Sequence, residues 1–202
     1  DVLTVNLTRG LRLPVQDGAH VTVWPYAPGQ LAVRFAEEEA ADLPESLDGL
    51  PVVCCGLHSQ VAPVCAALKG RRIAYVQLAG GALPVSLSDT LRALRARRLL
   101  ELTIGVSPCV DADLQCVTAA SALVVAAARG AQAIVVGIGP GIVGTATRYG
   151  HGGMAVADAA NAAQALGGRA VVAPRVSYGD QRERHRGLSH HTRAALSLCL
   201  GE

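Results

Sequence analysis

The sequence has 202 residues, enough for one domain with a sizeable hydrophobic core. Half of the residues are hydrophobic and 17% are charged, which is typical of a compact globular protein and excludes a disordered or fibrous one. The 18 Lys and Arg residues nearly balance the 16 Asp and Glu residues, and the aromatic residues are one Trp, four Tyr and one Phe. We therefore expect no nucleic-acid groove, because such a groove needs basic charge and stacking rings.

Composition also bears on location. The Ala-rich segment 119–128 has ten residues, too few to cross a membrane. Residues 1–10 contain no basic region followed by an apolar one, so the given residues show no secretory signal, and a signal removed before Asp1 stays open. The six cysteines include no Cys-x-x-Cys pair. These features predict a cytoplasmic protein with reduced thiols and no membrane partner.

Residues 1–48 are predicted to form a small β-rich segment with an acidic connector. Short β-type runs at 3–8, 20–24 and 31–35 are separated by Gly-containing turn signals. Segment 36–51 is acidic and contains two prolines, which is typical of an exposed connector or a short helix. We place the boundary of this unit near Asp48.

Residues 49–202 are predicted to form an α/β domain. Continuous apolar runs of strand length occur at 51–56, 73–78, 101–106, 133–138 and 170–176. Helix-forming segments lie between them, and the whole of 113–130 is expected to be one of these, capped by Asp111 or Asp113. Strands that are apolar on both faces indicate a doubly wound, mainly parallel five-stranded sheet with helices on both faces.

The loops that follow the five predicted strands form the candidate site, because ligands of open α/β sheets bind at the carboxyl ends of the strands. Five of the six histidines, including His151, fall on this edge. The first loop contains His58 beside Ser59, and the second contains Gly80 and Gly81. We expect these residues to line one crevice, with His58 as a candidate for proton transfer.

The fourth loop has a glycine pattern. Gly139, Gly141 and Gly144 form G-x-G-x-x-G after a strand, which would let backbone amides approach a phosphate. A dinucleotide motif would also begin a helix within the pattern and end the next strand with an acidic residue, where this sequence has Arg175. NAD is therefore disfavoured, and the cofactor stays unknown.

Two other interpretations of this loop remain. It can bind a phosphate or carboxylate, with hydroxyl and guanidinium donors supplied by Thr145, Thr147 and Arg148. Alternatively, its Gly and Pro residues only shape a tight crossover to the next helix.

The fifth loop has the densest group of basic and imidazole side chains. Ser189 is expected to cap a final helix, where cations oppose the helix dipole unless an anion lies between them. We therefore predict that Arg184 binds an anion while His185 or His190 transfers protons. Asp180, in the same loop, is a further candidate acid or base.

The histidines of this loop could instead ligate a metal ion, with His58 as an additional imidazole. However, the adjacent His190 and His191 diverge by about 100° on a helix, which argues against joint ligation. A solvated basic turn is the third interpretation. We predict an anion site and no metal ligands.

Four motifs together resemble a known family. They are LHS (57–59), GGALP (80–84), GIGPGIVGTATR (137–148) and DQRERHRGLSHH (180–191). This combination resembles a bacterial family described only as a domain of unknown function, number 3866, over the whole chain. The resemblance implies no activity. It does imply that further residues precede Asp1, so that the β-rich segment is incomplete here.

The sequence thus predicts an enzyme that acts on a small phosphorylated or carboxylated substrate at the carboxyl edge of the sheet. The alternative is a non-catalytic sensor or scaffold that binds a nucleotide or similar anion, and a third hypothesis is a structural subunit without a site. The Ala-rich helices have few charges on any face and must be covered, which predicts a homo-oligomer.

Overall fold

The computed structural model describes residues 20–22, 31–40 and 42–200. Strands β1 (His20–Thr22) and β2 (Leu31–Val33) pair antiparallel. They fall within two of the three runs that were expected to be strands. The run at 3–8 lies outside the described residues, and the β-rich segment as a unit stays a prediction.

An α/β fold is confirmed, with a parallel sheet of six strands. The strands are β3 (Pro51–Cys55), β4 (Ile73–Leu78), β5 (Leu102–Val106), β6 (Leu114–Cys116), β7 (Ala133–Ile138) and β8 (Arg169–Ala173). Their order across the sheet is β6-β5-β4-β7-β3-β8. Beyond the sheet, β9 (Val176–Ser177) and β10 (Gly187–Leu188) form a short antiparallel pair.

The expected count of five strands was wrong because β6 lies inside segment 113–130, which was assigned wholly to a helix. The carboxylate of Asp113 accepts hydrogen bonds from the backbone N and Oγ1 of Thr103, both at 2.8 Å. Asp113 therefore ties the chain to β5 rather than capping a helix. The helix begins later, where Thr118 Oγ1 accepts from the backbone N of Ser121 at 3.1 Å.

Six helices occur in the described residues. They are α1 (Ala36–Glu39), α2 (Val61–Ala67), α3 (Asp89–Ala96), α4 (Ala119–Ala128), α5 (Ala155–Ala165) and α6 (His190–Leu196). Among the described residues, no helix has the length and apolar character that a membrane crossing requires.

Two hydrophobic clusters take alternate residues of the same strands. Val76 and Val136 pack in a cluster with residues of α4 and α5, whereas Tyr75 and Val135 pack in a second cluster with residues of α2 and α3. Because successive strand residues point to opposite faces, helices cover both faces of the sheet. Double winding also concerns the handedness of each connection, and it stays a prediction.

The acidic connector packs on this core. Ala36 and Leu47 are buried in the cluster with α4 and α5. Glu37 Oε1 accepts hydrogen bonds from the backbone N of Val117 at 2.6 Å and from Ser121 Oγ at 2.7 Å. The connector thus fixes the beginning of α4, and the unit boundary near Asp48 stays a prediction.

Candidate histidine and arginine site

Four imidazole rings meet beyond the carboxyl end of the sheet, and we call them the histidine cluster: His151, His185, His190 and His191. The ring centroids of His190 and His191 are 4.3 Å apart, and His185 lies 4.8 Å from the first ring and 4.9 Å from the second. His151 stacks on His191 at 3.8 Å. The site thus joins the end of the fourth loop, the 3₁₀ turn Glu183–His185 and the first turn of α6.

Ser189 fixes the start of α6 and the position of His185. Its buried hydroxyl accepts from the backbone N of His191 at 3.3 Å, as the cap predicted from the sequence. The same Oγ lies 2.8 Å from His185 Nδ1. Ser189 therefore connects two members of the histidine cluster, and it acts through hydrogen bonds within the protein.

Several ring nitrogens of the cluster are buried without a hydrogen-bond partner among the described residues. They are both nitrogens of His151, Nε2 of His190 and Nδ1 of His191. A buried polar atom without a partner costs about 1–3 kcal/mol. A ligand that supplies partners for these atoms would recover that free energy. In addition, one ligand atom each from His185, His190 and His191 lie within 4.8 Å of one another, close enough to surround a metal ion.

The electrostatic surroundings keep the histidine cluster neutral near pH 7. Burial, with further contributions from neighbouring positive charges, lowers the pKa of His185 from 6.5 to about 4 and that of His191 to about 3. Burial is also the main cause of the lowered pKa of His151, followed by repulsion from the His190 ring when that ring is protonated. For His190, burial lowers the pKa first and the charges of Arg184 and Arg193 follow. Its unprotonated ring can accept a proton.

Asp180 is the centre of an ion-pair network. Its Oδ2 lies 2.5 Å from Arg175 Nη2, and its Oδ1 accepts from the backbone N of Arg182 at 3.0 Å and from Nε at 3.1 Å. These contacts, chiefly the hydrogen bonds from Arg182, hold the pKa of Asp180 well below its usual range. An ionised carboxylate of this kind is a weak base, so the network favours a positioning role over the proton transfer expected from the sequence.

A wide surface depression of about 670 Å³ lies along the fifth loop. It is lined by Tyr178, Glu183, Arg184, Arg186, Gly187 and Arg193. Three arginines and one glutamate thus line the depression, and none of the three guanidinium groups makes a hydrogen bond or ion pair with the described part of the chain. The charges of Arg184 and Arg193 act on His190, which places the depression within electrostatic reach of the histidine cluster.

Gly80, Gly81 and Gly139 lie where two loops touch through their backbones. A Cβ on Gly80 would lie 2.6 Å from the Gly152 carbonyl oxygen, and one on Gly139 would overlap the carbonyl oxygen of Ala82. These close backbone contacts are a sufficient reason for glycine at Gly80 and Gly139, without any ligand. The second and fourth loops are therefore packed against each other, and ligand binding by their glycines stays a prediction.

The rest of the fourth loop folds back on itself. Gly144 forms an antiparallel bridge with His151, and the backbone N of Thr145 donates to the Gly150 carbonyl at 2.7 Å. The hydroxyls of Thr145 and Thr147 bond each other at 2.8 Å. This closed loop carries His151 into the histidine cluster.

Two predicted anion-binding residues of the loop have no such internal bonds. A Cβ on Gly141, which has a φ of +71°, would meet no atom within 4 Å. Arg148 is exposed and its guanidinium carbon lies 4.9 Å from the centre of the Tyr149 ring. The guanidinium makes no hydrogen bond with the described residues, so it is available to an anion.

His58 lies outside the histidine cluster. Its Nδ1 is 2.9 Å from the Ile138 carbonyl oxygen, and its Nε2 is 2.7 Å from Ser88 Oγ. A carbonyl can only accept, so Nδ1 is the donor and, in the neutral ring, Nε2 accepts from the Ser88 hydroxyl. Both ring nitrogens are thus engaged within the protein, and a catalytic role of His58 stays a prediction.

Sequence reasoning assigned no role to His151, Arg186 or Arg193. His151 lies seven residues after Gly144, near the end of the loop that carries the glycine pattern, and this position is the signal that could have placed it in the site. Arg193 lies one helical turn after Ser189, which brings it to the same end of α6.

Residues 2–201 match a family described as protein of unknown function (DUF3866). No curated protein and no solved structure matches the chain. The match confirms the family resemblance carried by the four motifs.

Proposed function

The chain belongs to the DUF3866 family, and from its own geometry we propose that it is an enzyme acting on a small phosphorylated or carboxylated substrate. The observation that carries the proposal is that three arginines lie close to a cluster of neutral histidines. These arginines make no hydrogen bond or ion pair with the described residues. The arginines bind the anionic group, and the histidine cluster supplies the reactive centre.

The preference for an anion follows from the depression. Arg184, Arg186 and Arg193 present planar donor groups that match the geometry of phosphate and carboxylate oxygens. Glu183 is the one acidic residue that lines the depression, so the net charge of the residues lining the depression is positive. We assign Arg148 of the fourth loop to the same function, because its exposed guanidinium makes no hydrogen bond with the described residues.

Catalysis is supported by the state of the histidines. An unprotonated imidazole near pH 7 accepts a proton or binds an electrophile, whereas a protonated one only donates. The charges of Arg184 and Arg193 help to lower the pKa of His190, so an anion held by these arginines is within electrostatic range of its ring.

Arg184→Ala tests the anion site. We expect inorganic phosphate or small carboxylates to raise the melting temperature of the wild-type protein, and Arg184→Ala to remove most of this shift. The matched control is Arg71→Ala, which removes an exposed arginine that precedes β4, at the amino edge of the sheet. Equal stabilisation of the wild-type protein and Arg184→Ala would refute this anion site.

Turnover is tested with the ligands that bind. Each is incubated with the protein, and the products are measured by NMR. Product that forms with the wild-type protein and not with His190→Ala supports the enzyme.

A second candidate function is a non-catalytic anion sensor. The depression is wide, and the side chains of Arg184 and Arg186 are exposed to solvent, which suits binding better than water-excluding catalysis. Arginine-dependent binding with no product after long incubation would favour the sensor over the enzyme.

Two further expectations belong to this proposal. All six cysteines are free thiols, which supports a cytoplasmic location. The homo-oligomer expected from the Ala-rich helices has weaker support, because α4 and α5 pack against each other within the chain.

A further inference from the structure

We infer that His185, His190 and His191 form a binding site for a divalent transition-metal ion of the zinc type. The role of this ion as the reactive centre of an enzyme rests on the proposed function, whereas binding of the ion can be tested independently of any activity. In that case the three imidazoles act as ligands rather than as proton carriers. Three histidines are a ligand set typical of catalytic zinc, which keeps a fourth position open for water or substrate.

The distances are compatible with such an ion. One ligand atom each from the three rings lie within 4.8 Å of one another. Zinc–nitrogen bonds of about 2.0–2.1 Å in a tetrahedral site place ligand nitrogens about 3.3 Å apart. The rings must therefore close by roughly 1.5 Å at most, which small side-chain rotations achieve.

The adjacency of His190 and His191 is compatible with joint ligation when the two rings bind the ion through different nitrogens. The buried nitrogen without a partner is Nε2 in His190 and Nδ1 in His191. Within an imidazole ring, Nε2 is farther from the backbone than Nδ1, which is bonded to Cγ. This difference compensates for the divergence of neighbouring side chains, and the two ring centroids are 4.3 Å apart.

His185 has the second hydrogen bond that metal-binding histidines usually make. When its Nδ1 donates to Ser189 Oγ, at 2.8 Å, the lone pair of Nε2 points away from Ser189 and is free to bind an ion. His151 lies 94% buried with both nitrogens unpartnered, and its ring stacks on His191. We place His151 as the support that orients the His191 ring.

The surrounding charges indicate what accompanies the ion. Arg175 and Arg182 are paired with Asp180, so their charges are partly balanced. Arg184 and Arg193 have no such partner among the described residues, and their charges oppose a lone cation. An ion together with an anionic ligand at its open position satisfies both sets of groups.

Metal titration of the protein tests the inference. Protein without a histidine tag is freed of metals on a chelating resin and titrated with Co²⁺ and with Zn²⁺, by absorption spectroscopy and calorimetry. We expect one ion per chain. His190→Ala and His191→Asn should each weaken binding by more than the roughly 10–100-fold that loss of an outer hydrogen bond costs.

Two variants serve as comparisons. His58→Gln changes a histidine outside the cluster and should leave metal affinity within about threefold. Ser189→Ala should weaken binding by about 10–100-fold, with recovery in Ser189→Thr, because the hydroxyl orients His185. If the cluster variants unfold, X-ray absorption of wild-type protein with one equivalent of Zn²⁺ should still show three imidazole ligands.

Wild-type protein that binds no ion with this stoichiometry, or His190→Ala that binds with wild-type affinity, would overturn the inference. Phosphate binding is measured in parallel on the metal-free protein and on Arg184→Ala. Arginine-dependent phosphate binding without metal binding rejects the ion and keeps the anion site, whereas metal binding without phosphate binding rejects the anion site alone. Arg184→Ala should lower phosphate affinity and leave metal affinity equal or raised, because it removes a repelling charge.

Discussion

The imidazole of His151 stacks on that of His191, with ring centroids 3.8 Å apart and planes inclined by 23°. Neither nitrogen of His151 makes a hydrogen bond of ordinary geometry with the described residues, although the Arg148 backbone lies close enough to raise the pKa of the ring. The ring is therefore used for packing. We expect His151→Ala to lower the free energy of unfolding by about 1–3 kcal/mol, measured by urea denaturation, because it leaves a cavity beside His191.

His151→Phe is the matched control for this stacking. It keeps an aromatic ring against His191 and removes two buried nitrogens, so stability should be equal to or above that of the wild-type protein. A clear loss of stability in His151→Phe would show that the nitrogens do have a partner, and would contradict a pure packing role.

The pH dependence of stability should reflect the histidine cluster. The folded pKa values of His185 and His191 are about 4 and about 3, below the ordinary 6.5, so the unfolded chain binds more protons in this range. Their contribution to stability is complete above about pH 6.5 and is lost as the pH falls towards 4. The urea midpoint should therefore decrease between pH 7 and pH 4.5.

Two features separate this effect from other titrations. His191→Asn removes one of the groups and should flatten the pH dependence. Asp180 also has a lowered pKa, but its contribution is lost only below its ordinary value of 3.8. A urea midpoint that is constant between pH 7 and pH 4.5 would contradict the lowered histidine pKa values.

The contact between the second and fourth loops should be intolerant of a methyl group. Gly139→Ala places Cβ against the carbonyl oxygen of Ala82, so we expect a loss of about 1–3 kcal/mol in the free energy of unfolding. Gly179→Ala is the control, because a Cβ there meets no atom within 4 Å, and its effect should stay within about 0.5 kcal/mol. Equal stability of the two variants would contradict the close backbone contact.

The pair His58 and Ser88 should contribute mainly to stability. Ser88 caps α3 by accepting from the backbone N of Leu91 at 3.1 Å and is buried against His58. Ser88→Ala should cost about 0.5–2 kcal/mol, and the exposed Ser86→Ala less, as measured by urea denaturation. If the wild-type protein turns over a substrate, a stable Ser88→Ala protein that fails to do so would instead assign the pair a role in that reaction.

The α/β fold could be predicted because its signal is local. The apolar runs 73–78 and 133–138 became strands β4 and β7, in which every residue is buried, as a sheet covered on both faces requires. β6 could not be recognised because its three residues stand shortly before the Ala-rich segment 119–128, which strongly favours a helix. In addition, β6 pairs with β5 alone, at the edge of the sheet.

The candidate site was predictable only in outline. The sequence places five histidines at one edge, but the partners of His58 are 80 and 30 residues away in the chain, in Ile138 and Ser88. These contacts, distant in the sequence, hold His58 outside the histidine cluster. Gly139 likewise depends on a contact distant in the sequence, because its glycine is explained by Ala82 and not by the motif alone.

The position of β3 has a consequence for how the chain is made. β3 is the first strand of the parallel sheet along the chain, yet its two neighbours are β7 and β8, the last two. During synthesis, β3 therefore stays unpaired until residues 133–138 of β7 have left the ribosome, and it gains its second neighbour only with residues 169–173 of β8. Long-range pairing of this kind is slow. A chain that stops before β7 leaves β3 without either partner, so the amino-terminal half depends on the carboxyl-terminal half in order to fold.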